Sequence, residues 1–221
     1  MSRRLACFVD GFNLYHSLSA AQMQHPGAAL KWLDVAGLCR GFAALVTADS
    51  VLGSVDYFTA LPHHLSAVDP ARVQRHRIYL RALSAHRNPN VRIHEGRISR
   101  QSIEIMRDGR TERWETWREK GTDVALASAV LEQAQQEAFD DAIIVSGDTD
   151  YVPLVSAFAR LHPARTLRFA LPFLREPREL RRVAPLSFVL SVESYRSHQL
   201  PPSVRLPSGK RVHCPAPWLA R

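Results

Sequence analysis

Lysine is almost missing from this 221-residue chain: Lys31, Lys120 and Lys210 are the only three, so its cationic charge rests on arginine. Cysteine is equally scarce. Cys7, Cys39 and Cys214 show neither zinc-ligand nor redox spacing, which excludes a zinc ribbon, a CxxC oxidoreductase and a disulfide framework and points to a reducing, cytoplasmic setting. Long apolar runs are also absent. The stretch between Arg4 and Asp10 is too short for the apolar core of a signal peptide. Residues 11–30 hold no Lys, Arg, Asp or Glu, but they carry Asn13, His16, Gln22, Gln24, His25 and Pro26, so they do not read as a membrane span. A soluble protein with no membrane partner is expected.

Aspartate disappears after Tyr151. From Val152 to Arg221 there are 12 Lys+Arg against 3 Asp+Glu, a net of +9, whereas Met1 to Tyr151 has 17 against 18, a net of −1. A second basic segment, Pro62 to Arg100, carries 8 Arg against Asp69 and Glu95. Such zoning is the electrostatic footprint of a nucleic-acid binder. A hydrophobic content of 46% over this length supports one α/β domain with a sizeable core and a modest tail.

Apolar runs and turn residues set the expected order. Leu5 to Val9 is a buried first strand ending in Asp10-Gly11, and helices follow at about 12–24 and 34–46. Val51 to Leu61 is a strand, and Asp69-Pro70 opens a helix to about Ala85 with Asp as cap and Pro at the first position. Val91 to Glu95 alternates as the next strand. Asp108-Gly109, between Ile103–Ile105 and Arg113–Trp117, marks a hairpin inserted at the sheet edge, over about 98–119. A helix from Val124 to about Phe139, a strand at Ala142–Val145, a helix at Tyr151–Leu161, a strand at Thr166–Leu171, a short basic helix at Glu176–Val183 and a strand at Ser187–Val192 complete the pattern. Strands alternating with helices predict a three-layer α/β/α, Rossmann-like domain over residues 1–195 with a mostly parallel sheet. Residues 196–221, rich in proline and basic, are expected as an extended tail.

Four aspartates fall where a strand or turn hands over to a helix: Asp10, Asp123, Asp148 and Asp150. Singly, each has an ordinary role as a turn residue or helix cap. Together they point elsewhere, because strand C-termini of an open α/β sheet project into one crevice. Oxygen-only ligands suit Mg²⁺ or Mn²⁺, and crowded carboxylates without a cation repel one another. Gly11 and Gly147 beside them are places where backbone approaches a ligand closely. Asn13 and Ser146 add neutral oxygens.

The segments Phe8-Val-Asp-Gly-Phe-Asn13, Lys120-Gly-Thr-Asp123 and Ser146-Gly-Asp-Thr-Asp150 resemble, in order, the three signature blocks of NYN domains. That family is a branch of the PIN-like ribonuclease superfamily, and its bacterial LabA-like members are the most similar, down to the tail from Leu206 to Trp218. The resemblance covers about residues 4–195. It implies a PIN-like sheet of central strand order 3-2-1-4-5 and metal-dependent RNA cleavage, with Asp10, Asp123, Asp148 and Asp150 as metal ligands and Asn13 in the family's Asn position. Water attack at such a centre leaves a 5′-phosphate and a 3′-hydroxyl. The partner is RNA, single-stranded or structured, tRNA included.

Two rival readings start from the same residues. Asp148-Thr-Asp-Tyr-Val152 fits the strand-end motif of haloacid-dehalogenase-type phosphatases, but the Lys and acidic pair that superfamily needs downstream are missing, since only Lys210 and no Asp follows. A catalytically silent RNA-binding or scaffold module is the other. For substrate contacts, Arg178, Arg181 and Arg182 share about one turn of the short basic helix, and Arg77 and Arg81 belong to the earlier basic segment. Lys120 adjoins Asp123 and either meets a phosphate or pairs with Glu119 or Glu115. Trp114 and Trp117 are expected to pack the hairpin on its own domain or on a second subunit of a homodimer, and His63-His64 reads as solvated loop.

Overall fold

The first strand, β1 (Arg3–Asp10), is apolar on both faces because it becomes the middle of the sheet. Its alternate residues serve two cores. Leu5, Cys7 and Val9 join one apolar cluster and Ala6 and Phe8 the other, the period-2 arrangement of any strand between two helical layers. The computed structural model describes residues 2–65, 67–86, 91–107 and 110–219.

After β1 come α1 (Gly11–Gln24), α2 (Val35–Val46), β2 (Ser50–Thr59), α3 (Pro70–Ala85) and β3 (Val91–Glu95). The hairpin β4 (Arg97–Arg107) and β5 (Arg110–Lys120) leads to α4 (Thr122–Gln135), β6 (Asp141–Val145), α5 (Val152–Leu161) and β7 (Thr166–Leu171). The chain then forms α6 (Arg178–Val183), β8 (Phe188–Val189), α7 (Val192–Arg196), β9 (Ser203–Arg205) and β10 (Arg211–His213). The six-stranded sheet runs β3-β2-β1-β6-β7-β8, and every neighbouring pair is parallel. With the hairpin set aside, this is the expected 3-2-1-4-5 order extended by one short strand. Residues of α1, α2 and α3 cover one face and those of α4, α5 and α6 the other, giving the three layers. Chain direction reverses across the sheet between β1 and β6, which makes their C-terminal ends the switch point where such sheets bind ligands.

Three expectations need revision, whereas the inserted hairpin spans what was expected, pairing Arg97 with Lys120 through to Arg107 with Arg110 as its own two-stranded sheet. Its expected turn, Asp108-Gly109, lies outside the described residues. Trp114 and Trp117 stay 55% and 46% exposed, with Trp117 stacked on His64 at 4.9 Å between ring centroids, so His64 is not a free loop residue. The helix before β6 stops at Gln135, four residues early, where Glu137 at φ 54° turns the chain so that Phe139 enters the core. The last strand shrinks to Phe188–Val189 because the Ser191 hydroxyl, 3.1 Å from the Ser194 N–H, caps α7 instead.

The proline-rich end is not a free arm. It contains no regular helix beyond a 3-10 turn at Ala216–Trp218, as its prolines dictate. However, Leu200, Val204, Leu206, Val212 and Cys214 are buried in the same cluster as β1, and the Trp32 indole N–H donates to the Pro201 carbonyl at 2.8 Å. The basic side chains Arg205, Lys210 and Arg211 remain exposed. No helix among the described residues is long and apolar enough to cross a membrane.

Candidate metal centre at the sheet switch point

Asp10 closes β1 and caps α1, which places its carboxylate at the switch point. Oδ1 accepts from the Asn13 N–H at 2.9 Å, and Oδ2 accepts from the Ser146 hydroxyl, also at 2.9 Å, at the end of the neighbouring β6. The same loop is laced further. The Gly147 N–H donates to the Asn13 side-chain carbonyl at 3.1 Å, and the Asp148 N–H donates to the Ser146 hydroxyl at 3.1 Å. Asn13 and Ser146 thus join the end of β1 to the loop after β6 through neutral oxygens. Gly11 and Gly147, by contrast, make room for protein rather than ligand. A Cβ at Gly11 would meet the Phe58 carbonyl and the Tyr57 ring at 2.7 Å, and one at Gly147 the Arg175 carbonyl at 2.6 Å.

Burial pushes the Asp10 carboxyl up to about 6, against the Asn13 and Ser146 hydrogen bonds and with further upward pressure from Asp123 and Asp148. The shift shows that the three carboxylates share one neighbourhood. Asp123, in the first turn of α4, is fixed by the Tyr151 hydroxyl, which donates to its Oδ1 at 2.9 Å. Asp148 sits at the N-cap of the 3-10 turn Thr149–Tyr151 and accepts from the Asp150 N–H at 3.0 Å. Asp150 itself is exposed, and its backbone rather than its carboxylate is tied to the group. The structure thus unites Asp10, Asp123 and Asp148 and leaves Asp150 at the rim.

A further acid joins them that sequence reading had placed at the surface. Glu119 is the second-last residue of β5, three before the start of α4, and burial pushes it up to about 7, against the nearby Thr122 hydroxyl and helped by Asp10 and Asp123. Its Oε1 is buried without a hydrogen-bond partner. Only the hairpin register, Ile98 opposite Glu119, brings it back to the sheet. Lys120 beside it is exposed and makes no ion pair among the described residues, while Glu115 pairs with Arg100.

The donor set fits a hard divalent cation. Every candidate ligand is a carboxylate oxygen, Asp10 is raised by burial and then by its acidic neighbours, and Glu119 has a buried oxygen without a hydrogen-bond partner among the described residues. Among the described residues no three His, Cys, Asp or Glu side chains already converge on one ligating point.

Arginines also lie near the acids, though not all are those expected. Arg175, against Gly147, and Arg72, on α3, both depress the pKa of the exposed His16 after burial does so. Arg77 and Arg81 point away. They lie about half a turn around α3 from Arg72 and Arg75, and Arg77 meets His63 at 3.4 Å. On α6, which packs near the 3-10 turn, Arg181 pairs with Glu176 at 3.2 Å, while Arg178 and Arg182 are exposed.

An open, parallel three-layer sheet with acids gathered at its switch point defines a PIN-like domain. The family model described as NYN domain matches residues 4–191, and the chain belongs to that family. It is a branch of the PIN-like nuclease superfamily, whose nucleases generally use divalent metals. No curated protein matches the sequence. Among solved structures, a protein of unknown function from Vibrio parahaemolyticus shares the fold with a TM-score of 0.52 at 18% identity, over 90% of this chain and 97% of that one.

Proposed function

We propose that this chain is a metal-dependent ribonuclease, acting as an endonuclease on RNA through Mg²⁺ or Mn²⁺ held by Asp10 and Asp148. Asp123 and Glu119 would complete the charged wall, and Asp150 would add its charge from the rim. The observation that carries the reading is the Asp10 carboxyl: buried, given only neutral donors, and set among other carboxylates. A bound divalent ion supplies the activation of water and the neutralisation of the leaving oxygen. The protein supplies position. Asn13 and Ser146 lock Asp10 to the Gly147–Asp148 turn, and the Tyr151 hydroxyl orients Asp123. Arg175 and Arg72, both close to His16, are cations that phosphates of a strand crossing the site would meet.

The test is RNA cleavage by the purified protein. Mg²⁺ or Mn²⁺ should support it, EDTA should stop it, and Ca²⁺ should serve poorly because its longer, looser coordination misplaces the attacking water. Asp148→Asn should abolish cleavage while circular dichroism shows a folded protein. Undiminished cleavage by that variant would sink the assignment.

A further inference from the structure

Beside the acidic centre, on the β2 side of β1, lies a cleft of about 420 Å³ that the proposed chemistry does not use. It begins at Gly11, the residue after Asp10, and ends at Trp218 near the C-terminus. Its size is that of a small-molecule site, and its lining has two chemistries. One is aromatic, from Tyr15 and Trp218, with the buried Tyr57 and Tyr79 rings behind them. The other is cationic, from Lys31, Arg72 and Arg75, opposed only by Asp69.

Each chemistry is held in place. Trp218 leans on Trp32 and Tyr79, with ring centroids 6.4 and 5.9 Å away, so the proline-rich end forms a wall of this cleft. The Lys31 ammonium lies 5.1 Å from the centre of the Tyr15 ring. Arg72 is exposed, while Arg75 stands 3.8 Å from Asp69. Residues 72, 75, 76 and 79 share one face of α3, which explains why these arginines line the cleft and Arg77 and Arg81 do not.

Flat aromatic surface beside unsaturated cations selects a ligand that is both a planar heterocycle and an anion, and the neighbouring carboxylates select phosphate chemistry. We infer that this cleft takes one unpaired nucleotide of an RNA strand, with its base against Tyr15 and Trp218 and its phosphate on Arg72 and Lys31, as the next phosphate reaches the acidic centre. This rests on the ribonuclease reading and extends it to substrate class. A base paired within a duplex cannot enter a side-chain-lined cleft, so the strand must be single at that nucleotide.

Binding measured in EDTA separates this inference from catalysis. The full-length protein is titrated with a short fluorescent single-stranded RNA, with variants of that RNA carrying one abasic position each, and with the same sequence as a duplex. For the wild type, one abasic position should weaken binding about tenfold, the scale of one base stacked on aromatic side chains, and the duplex should bind more weakly than the intact strand. Trp218→Ala should weaken the intact strand similarly and lose its sensitivity to that position. Should Trp218→Ala fail to fold, Tyr15→Leu carries the same expectation. Arg72→Ala should bind more weakly and flatten the plot of log affinity against log salt by about one phosphate contact. A flat abasic scan, equal affinity for duplex and single strand, or no binding of the RNA would overturn the cleft assignment, even where metal-dependent cleavage and its loss in Asp148→Asn stand.

Discussion

Asp56 and Asp10 sit on neighbouring strands, two residues apart in register, since Phe8 lies opposite Asp56 and Asp10 opposite Phe58. Both are buried, at 0% and 5% exposure. Their surroundings differ completely. Asp56 receives two bonds from the Arg92 guanidinium at 2.8 and 2.6 Å, one from His94 at 2.7 Å and one from Gln133 at 3.2 Å. Burial alone would raise its pKa, but these donors outweigh it and hold the group below the ordinary carboxylate range. Asp10 has no cation and is raised. Helix α4 serves both: Gln133 near its C-terminus satisfies Asp56, and Asp123 at its N-terminus adds to the charge around Asp10. The contrast separates a carboxylate matched by cations of the fold from one held, among the described residues, by neutral donors alone.

The sharpest way to break that contrast is substitution at each acid's environment. Asp10→Asn should lower metal-dependent cleavage at least about a hundredfold, while the melting temperature stays level or rises by about 1–4 °C as crowding is relieved. Arg92→Ala should do the reverse, because it strands the buried Asp56 carboxylate. A cost of about 3 kcal/mol corresponds to about 6–12 °C in a chain of this size, with cleavage per folded molecule retained. Calorimetry beside cleavage rates checks both, and an equal melting loss in the two variants would erase the distinction.

A smaller effect appears in the pH dependence of the metal-free protein. The folded pKa of Asp10, about 6, lies above its unfolded value, so the folded state holds that proton longer and stability falls as pH climbs through 6. Asp56, with a depressed folded pKa, contributes stability that is present above its unfolded value and lost as pH falls. Denaturant melts of wild type and Asp10→Asn between pH 5 and 7.5 should therefore diverge by about 1–3 kcal/mol, and excess Mg²⁺ should close the gap. Parallel curves would mean that Asp10 is not crowded.

The smallest expected effect belongs to the distant cations. Replacing Arg178, Arg181 and Arg182 together by Ala should weaken RNA binding and flatten its salt slope by up to about three contacts, leaving the Mg²⁺-induced rise in melting temperature intact. Because Arg181 already pairs with Glu176 at a half-exposed surface, its own share should be the least of the three. An unchanged salt slope would remove α6 from the RNA path.

The sheet was legible because its central strands are nearly continuous apolar runs ended by Asp-Gly or Ser-Gly, a signal that stays local. Helix α3 was equally plain, with Asp69 accepting from the Arg72 N–H as a cap and Pro70 next. Asp10 ends β1 and Asp148 follows β6, as their strand-end positions require, while Asp123 adds its charge from the first turn of α4. What stayed hidden depends on distant partners. Glu119 reaches the centre only through the hairpin register, and Trp218 finds its place only against Trp32 and Tyr79. Charge counting also could not choose a helix face, so Arg77 and Arg81 drew attention that the cleft-lining Arg72 and Arg75 merit.

The position of β1 in the chain also bears on how the molecule is made. Within this domain it is the first strand to be made, and it ends in the middle of the sheet, paired on one side with β2 and on the other with β6, which begins at Asp141. At about 5–20 residues per second, the ribosome takes on the order of ten seconds to travel between them. Throughout that interval an apolar strand edge of the nascent chain lacks its second neighbour, the kind of edge that recruits other chains. Expression yield should therefore respond to elongation rate and chaperone supply, independently of the stability of the finished domain.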